Sequence, residues 1–301
     1  PKCGTTSILY ALQPHPEVSM DSQENCQIAR PIQADDLNIK RLESDVAALY
    51  RQERKFLSAE NTPALGRKVI GMKCPDALKN FRAVHRLSMH SPHCRFIVGI
   101  RHPVLILQSF YNYRITAMYD NGVADANKPI PPLEIVLDSP VPWQDVSLDT
   151  VRFEFYLVQF AKTAIQLELL QELQTQDWLA IKPNKFQIFL YTIDQLEDDN
   201  EQRQASFRME LERFLGLSKP LPAFGRENVN RFVGEKAHPE TMDICQDQYK
   251  GVRHRVLENA KKSQAYIRDF VKSVDVTVAN QQHFLATIDS WSRDPCFNLT
   301  K

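Results

Sequence analysis

Three observations predict an α/β fold built on parallel strands. Short apolar runs rich in β-branched residues alternate with helix-like segments along the chain. Clusters suited to binding anions fall where the predicted strands end, which is where parallel α/β sheets hold their ligands. With 301 residues, 43% of them hydrophobic and 25% charged, the chain is sufficient for one sizeable core. A single domain over residues 1–301 is therefore the expected organisation.

The elements follow in order. Ile8 to Leu12 begins a helix that Pro14 and Pro16 must end. Residues 37–54 carry apolar side chains at helical spacing, with Leu42, Val46 and Leu49 on one face. Residues 68–72 read as a strand, 77–87 as a helix, 96–100 as a strand and 104–113 as a helix. This alternation is the pattern of parallel βαβ units. Five prolines between 129 and 142 mark 121–149 as a long loop or small subdomain. Residues 153–174 read as an apolar helix and 186–191 as the next strand. Phe207, Leu211, Phe214 and Leu215 define a helix that stops near Gly216. Residues 252–271 read as a last helix.

The chain opens on Pro1-Lys2-Cys3-Gly4-Thr5-Thr6-Ser7, directly before a helix. Backbone N–H groups at a helix N-terminus are unpaired, and the helix dipole favours an anion there. Lys2 adds positive charge, and small hydroxyl residues let a phosphate approach the backbone. This is not the Walker loop, in which the lysine follows the second glycine.

A second cluster lies at the end of the strand over 96–100. Arg101-His102-Pro103-Val104 is followed by Ser109-Phe110-Tyr111, and Pro103 suits the first turn of a helix. A guanidinium at the strand end and a hydroxyl two turns on form a plausible clamp for a separate phosphate. Each residue alone also suits a surface role, so it is the ordered pair of clusters that carries the reading.

Both clusters resemble the 5′-phosphosulfate and 3′-phosphate motifs of sulfotransferases that use PAPS (3′-phosphoadenosine 5′-phosphosulfate). The likeness is greatest to the heparan sulfate type among the Golgi carbohydrate sulfotransferases. The resemblance runs in order over residues 1 to about 240. It implies a P-loop-like three-layer sandwich around a central, mostly parallel sheet. It also implies transfer of a sulfuryl group from PAPS, as co-substrate, to an acceptor hydroxyl, with release of 3′,5′-adenosine bisphosphate. Lys2, Cys3, Gly4, Thr5, Thr6, Ser7, Arg101 and Ser109 are then the nucleotide-binding residues.

The same resemblance supplies the remaining site residues. After His15-Pro16-Glu17-Val18, the family carries a catalytic Glu at the position of Glu24. A carboxylate there would take the acceptor's proton. Here Gln23 precedes it and Asn25-Cys26-Gln27-Ile28 follows, where the family often has a Lys and aromatic residues. Asp21, Glu17 and His15 are the neighbouring alternatives. Gly71-Met72-Lys73-Cys74-Pro75 is similar to a family strand end, which places Lys73 beside the cleft. Lys2 and Lys73 would stabilise charge on the leaving phosphate. Lys236-Ala237-His238-Pro239 resembles a nucleotide-covering loop, with Lys236 as a phosphate contact.

An acceptor on a polysaccharide or glycan follows from the resemblance alone. So does a Golgi-lumenal, type II membrane protein. The chain begins inside a loop that should follow a strand, so the first strand and any membrane anchor are expected to precede it. Two other readings stay open: an inactive relative that keeps the nucleotide site, and an ATP-using small-molecule kinase, against which the missing Walker motif counts.

Composition sets further limits. Lys plus Arg and Asp plus Glu balance at 37 each, which argues against a broad nucleic-acid surface but leaves room for a local basic cleft. Six cysteines are scattered without metal-site spacing. His85, His90, His93 and Cys94 straddle a Ser91-Pro92 turn with no i,i+4 pair, so no metal is expected. No closely spaced cysteine pair matches the late disulfide of some heparan sulfate enzymes, and the redox compartment stays undecided. Asn298-Leu299-Thr300 is a glycosylation sequon.

Overall fold

The computed structural model of the protein describes residues 4–24, 69–74, 94–120, 187–225, 241–273 and 276–297. The readings over 37–54, 77–87, 121–149, 153–174 and 234–239, the three histidines of 85–93 and the sequon lie outside the described residues. Helices and small parallel sheets make a mixed α/β architecture.

Helix α1 spans Thr5–Leu12 and leads through the His15-Pro16 turn into strand β1, Val18–Glu24. Strand β2, Val69–Lys73, pairs with β1 in parallel. Strand β3, Arg95–Ile100, is followed by helix α2, Pro103–Asp120. Strand β4, Gln187–Thr192, runs directly into the short helix α3, Ile193–Leu196, and then helix α4, Glu201–Leu215. Helix α5, Lys250–Ser273, precedes the two-residue strand β5, Val276–Thr277, and helix α6, Gln281–Ser290, closes the described chain. Strands β3, β4 and β5 form a second parallel sheet with β4 in the centre.

The central strand organises the core. Ile188, Phe189, Leu190 and Tyr191 are all buried, and alternate residues of a strand face opposite sides. Phe189 and Tyr191 pack with Ile8 and Leu12 of α1 and with Phe207 and Leu211 of α4. Ile188 and Leu190 pack with Ile267 and Phe270 of α5 and with Phe284 and Ile288 of α6. Phe207 meets Phe189, Tyr191 and Phe224 edge-on at centroid separations of 5.4–5.9 Å, a favoured aromatic geometry. Full burial of each such side chain contributes roughly 1.5–3 kcal/mol.

Local chemistry sets the ends of α4. The Asn200 side chain accepts the N–H of Arg203 at 3.0 Å, and Gly216 closes the helix in the left-handed conformation with φ 72°. Helix α2 extends well past the 104–113 expected from the sequence, to Asp120. Strand β1 carries no strand signal of its own, because Val18 and Met20 are the only apolar residues in it. Its pairing with β2 sustains it.

The structure pairs cysteines whose pairing the sequence left open. Cys245 and Cys296 form a disulfide although 51 residues separate them, and Cys74 is also disulfide-bonded. Helix α5 and the segments that flank it bring the first pair together. Around it, Asn112 brackets Met242 with two hydrogen bonds of 2.7 and 2.8 Å. The buried Arg253 donates to the carbonyls of Ile244 and Gln246 and pairs with Asp294 at 3.0 Å. Cys94 is a free thiol, and burial pushes its pKa up to about 11, so it is not a nucleophile at neutral pH. Replacing Cys245 and Cys296 together by serine is expected to lower stability by about 2–4 kcal/mol in urea unfolding, since a long loop is released in the unfolded chain.

Candidate functional site

The site is built where the strands end. Gly4 precedes α1 with φ 73°, a conformation that disfavours any side chain. A Cβ at Gly4 would lie 2.5 Å from Leu196 Cδ1 and 3.6 Å from Ile193 Cγ1. The loop therefore packs its backbone directly onto α3. With glycine before it, α1 has no side-chain cap, and its first-turn N–H groups remain oriented for an anion. Thr5 and Thr6 are half-buried in that turn and Ser7 is buried.

Strand β2 contributes the cation. The Lys73 ammonium donates to Thr6 Oγ1 at 2.9 Å, which holds a positive charge at the N-terminal turn of α1. Glu24 is the register partner of Lys73 across the two parallel strands, after an irregularity that follows Met20. Three sequence-predicted residues, Thr6, Lys73 and Glu24, are thus brought to one strand edge from positions up to 67 residues apart. The side chains of Asp21 and Glu24 lie outside the described residues, as do Lys2, Cys3 and Lys236.

The second anion cluster meets the same corner. Ile100 and Thr192 are register partners at the carboxyl ends of β3 and β4. Arg101 is the next residue after Ile100, and Ile193 begins α3 directly after Thr192. Adjacent strands lie about 4.8 Å apart. Arg101 and the Gly4 loop therefore both abut the Thr192–Leu196 corner. Arg101 is half-buried with its Nε enclosed, and Ser109 is half-buried on α2. The corner carries one local sequence signal, the Thr192-Ile193-Asp194-Gln195 capping box, in which the Thr192 N–H donates to Gln195 Oε1 at 3.0 Å.

His102 fixes the turn that carries Arg101. Its Nδ1 accepts the N–H of Val104 at 3.2 Å, so Nε2 carries the proton and donates to the Arg293 carbonyl at 3.3 Å. The ring occupies the place of a helix-capping side chain, and burial pushes its pKa down to about 4.

Two of the alternative bases are committed to structure. The Glu17 carboxylate accepts the Ser218 hydroxyl, the Ser218 N–H at 2.7 Å and the Lys219 N–H at 3.2 Å. The Ser218 hydroxyl, then its N–H, hold the carboxyl below its ordinary pKa. His15 is buried, accepts the Glu17 N–H at Nδ1 and bonds the Lys219 carbonyl through Nε2 at 3.0 Å. Both residues clamp the 217–219 turn.

Among the described residues no group of three or more His, Cys, Asp or Glu side chains could hold a metal ion. None of their helices is long and apolar enough to cross a membrane. No protein-family model matches the chain, and no curated protein matches it significantly.

A pH dependence follows from His102. The unfolded ring takes up a proton below about pH 6.5, whereas the folded ring stays neutral until about pH 4. Stability is therefore full above pH 6.5 and falls by about 3 kcal/mol as the pH drops to 4. His102→Asn keeps an acceptor for Val104 and does not titrate. Denaturant unfolding across this window should show a shallower pH slope for the variant; an unchanged slope would refute the assignment.

Proposed function

We propose that the protein is a PAPS-dependent sulfotransferase with a P-loop-like three-layer sandwich. It would transfer a sulfuryl group to an acceptor hydroxyl on a polysaccharide or glycan. The observation that carries this reading is the Lys73–Thr6 contact, with Glu24 in register beside it. An anion-binding helix end, a cation and a carboxylate position share one edge, and Arg101 stands at the same corner.

In this reading the N–H groups and hydroxyls of Thr5, Thr6 and Ser7, with Lys2, Cys3 and Gly4, hold the 5′-phosphosulfate. Arg101 and Ser109 hold the 3′-phosphate, and Lys236 adds a contact. The acceptor oxygen attacks sulfur as the bond from sulfur to the 5′-phosphate oxygen breaks. The acceptor proton passes to Glu24, and the charge gained by the leaving 3′,5′-adenosine bisphosphate is met by Lys2 and Lys73. The disulfides support an oxidising compartment, in keeping with a Golgi-lumenal, membrane-anchored enzyme.

Calorimetric titration with 3′,5′-adenosine bisphosphate, with ATP as comparator, tests the reading. Tight binding of the bisphosphate and weak binding of ATP are expected. A preference for ATP would favour a kinase. Arg101→Ala should weaken the bisphosphate about 10- to 100-fold while changing adenosine 5′-phosphosulfate little, because only the first ligand carries the phosphate that the guanidinium pairs with. Equal weakening of both ligands would remove Arg101 from the 3′-phosphate site.

Glu24→Gln should lower turnover by about 10²- to 10⁴-fold and leave nucleotide affinity intact. Full activity in that variant, followed by steady-state sulfation, would transfer the role of base to another residue. Nucleotide binding without turnover in the parent protein would identify an inactive relative.

A further inference from the structure

Both members of the second anion cluster sit beside residues that are tied to distant parts of the chain. Arg101 precedes His102, whose Nε2 donates to the Arg293 carbonyl at 3.3 Å and whose ring centroid lies 6.0 Å from that of the buried Trp291. Ser109 follows Gln108, whose Oε1 accepts the Ile244 N–H at 2.9 Å. One turn further, Asn112 bonds both the N–H and the carbonyl of Met242. Helix α2 is therefore held at its start by residues 291–293 and along one side by residues 242–244.

These two holding segments are themselves joined. The Cys245–Cys296 bond closes residues 245–296 into one loop. Arg253 links the same segments a second time. Its Nη1 donates to the Ile244 and Gln246 carbonyls at 2.6 and 2.8 Å, and its Nε pairs with Asp294 Oδ2 at 3.0 Å. The other Asp294 oxygen accepts the Cys296 N–H at 2.9 Å, and Asp243 accepts the Cys245 N–H at 3.0 Å.

The polar contacts on α2 are directional. Val104, Leu107 and Tyr111 cluster with Met242 and Ile244, but hydrophobic attraction has no direction of its own. Gln108 and Asn112 stand four residues apart on one helix face, so their hydrogen bonds fix how far α2 is turned and how far it slides. Ser109 lies about 100° around the axis from Gln108, and its bearing is set with theirs. A guanidinium pairs with phosphate through a rigid fork, which makes the placement of Arg101 matter as well.

We propose that this cross-linked knot is the positioning device of the second anion cluster. His102, Gln108 and Asn112 aim Arg101 and Ser109, and Arg253 with the Cys245–Cys296 bond keeps that arrangement from loosening. These are positioning residues and not nucleotide contacts. The proposal rests on the nucleotide reading above, in which the cluster holds a 3′-phosphate.

The test uses the double variant Cys245→Ser, Cys296→Ser, with its folding verified by circular dichroism. Gln108→Ala is a second variant that leaves the disulfide intact, and it carries the test if the first does not fold. Each is titrated with 3′,5′-adenosine bisphosphate and with adenosine 5′-phosphosulfate, which lacks the 3′-phosphate. Both variants should bind the bisphosphate about 3- to 10-fold more weakly, because a misaligned charge-assisted bond is weakened and not lost. Both should bind the phosphosulfate as the parent does. In an Arg101→Ala background the cysteine substitutions should have a smaller effect on the bisphosphate, since residues that act through one another are not additive.

Unchanged bisphosphate affinity in both variants would overturn the positioning role. So would equal weakening of the two ligands, which is what general loosening of the fold produces, or the same loss with and without Arg101. The two readings fail separately. Absence of bisphosphate binding in the parent would sink the nucleotide assignment and the positioning role with it, whereas tight binding that ignores the knot would sink the positioning role alone.

Discussion

Four consecutive side chains of β4, Ile188 to Tyr191, are withdrawn from solvent, and their alternation decides which helices can lie on which side. Phe189 and Tyr191 require an apolar partner on one face, and α1 and α4 supply it. Ile188 and Leu190 require one on the other, and α5 and α6 supply it. A strand buried on both sides must also satisfy its backbone on both edges. Strands β3 and β5 do so by parallel pairing. The direction of β4 then sets the end at which Thr192, α3, Arg101 and the Gly4 loop converge.

That convergence turns unpaired polar groups into a potential site. Strand ends and helix starts leave N–H and C=O groups without regular partners. Part of the set is closed by side chains: His102 takes the Val104 N–H, and Glu17 takes those of Ser218 and Lys219. The start of α1 has no side-chain cap, because its glycine lies tight against Leu196 and brings no side chain. Rigid support and open valence therefore occur side by side. His15 and Glu17, both polar, are spent on support, because they hold the 217–219 turn.

Charge follows a similar division. Arg253 is buried and neutralised within a knot of carbonyls, Asp294 and a disulfide. Arg268 is tied to Asp289. The lysines one face away on the same helix are exposed, and an overall balance of charge conceals them. Net charge describes the whole surface, whereas the local field depends on where the charges lie.

Much of this was legible without a structure. The run Phe96 to Ile100 and the run through Phe189 declare buried strands, because no exposed segment tolerates such a sequence. Phe207, Leu211 and Leu215, with Gly216 after them, mark a helix and its end through spacing and the left-handed turn. The start of a helix just after Gly4 was equally plain, since the run from Ile8 to Leu12 and the prolines that follow it are local signals. What the sequence could not determine depends on distance. Strand β1 has only two apolar residues and exists because β2 pairs with it. The bond between Cys245 and Cys296, the contact of Lys73 with Thr6 and the roles of Glu17 and His15 all join residues far apart in the chain. Local preference acts over a few residues, whereas these contacts are made only after the chain has been packed, so the tertiary structure alone decided them.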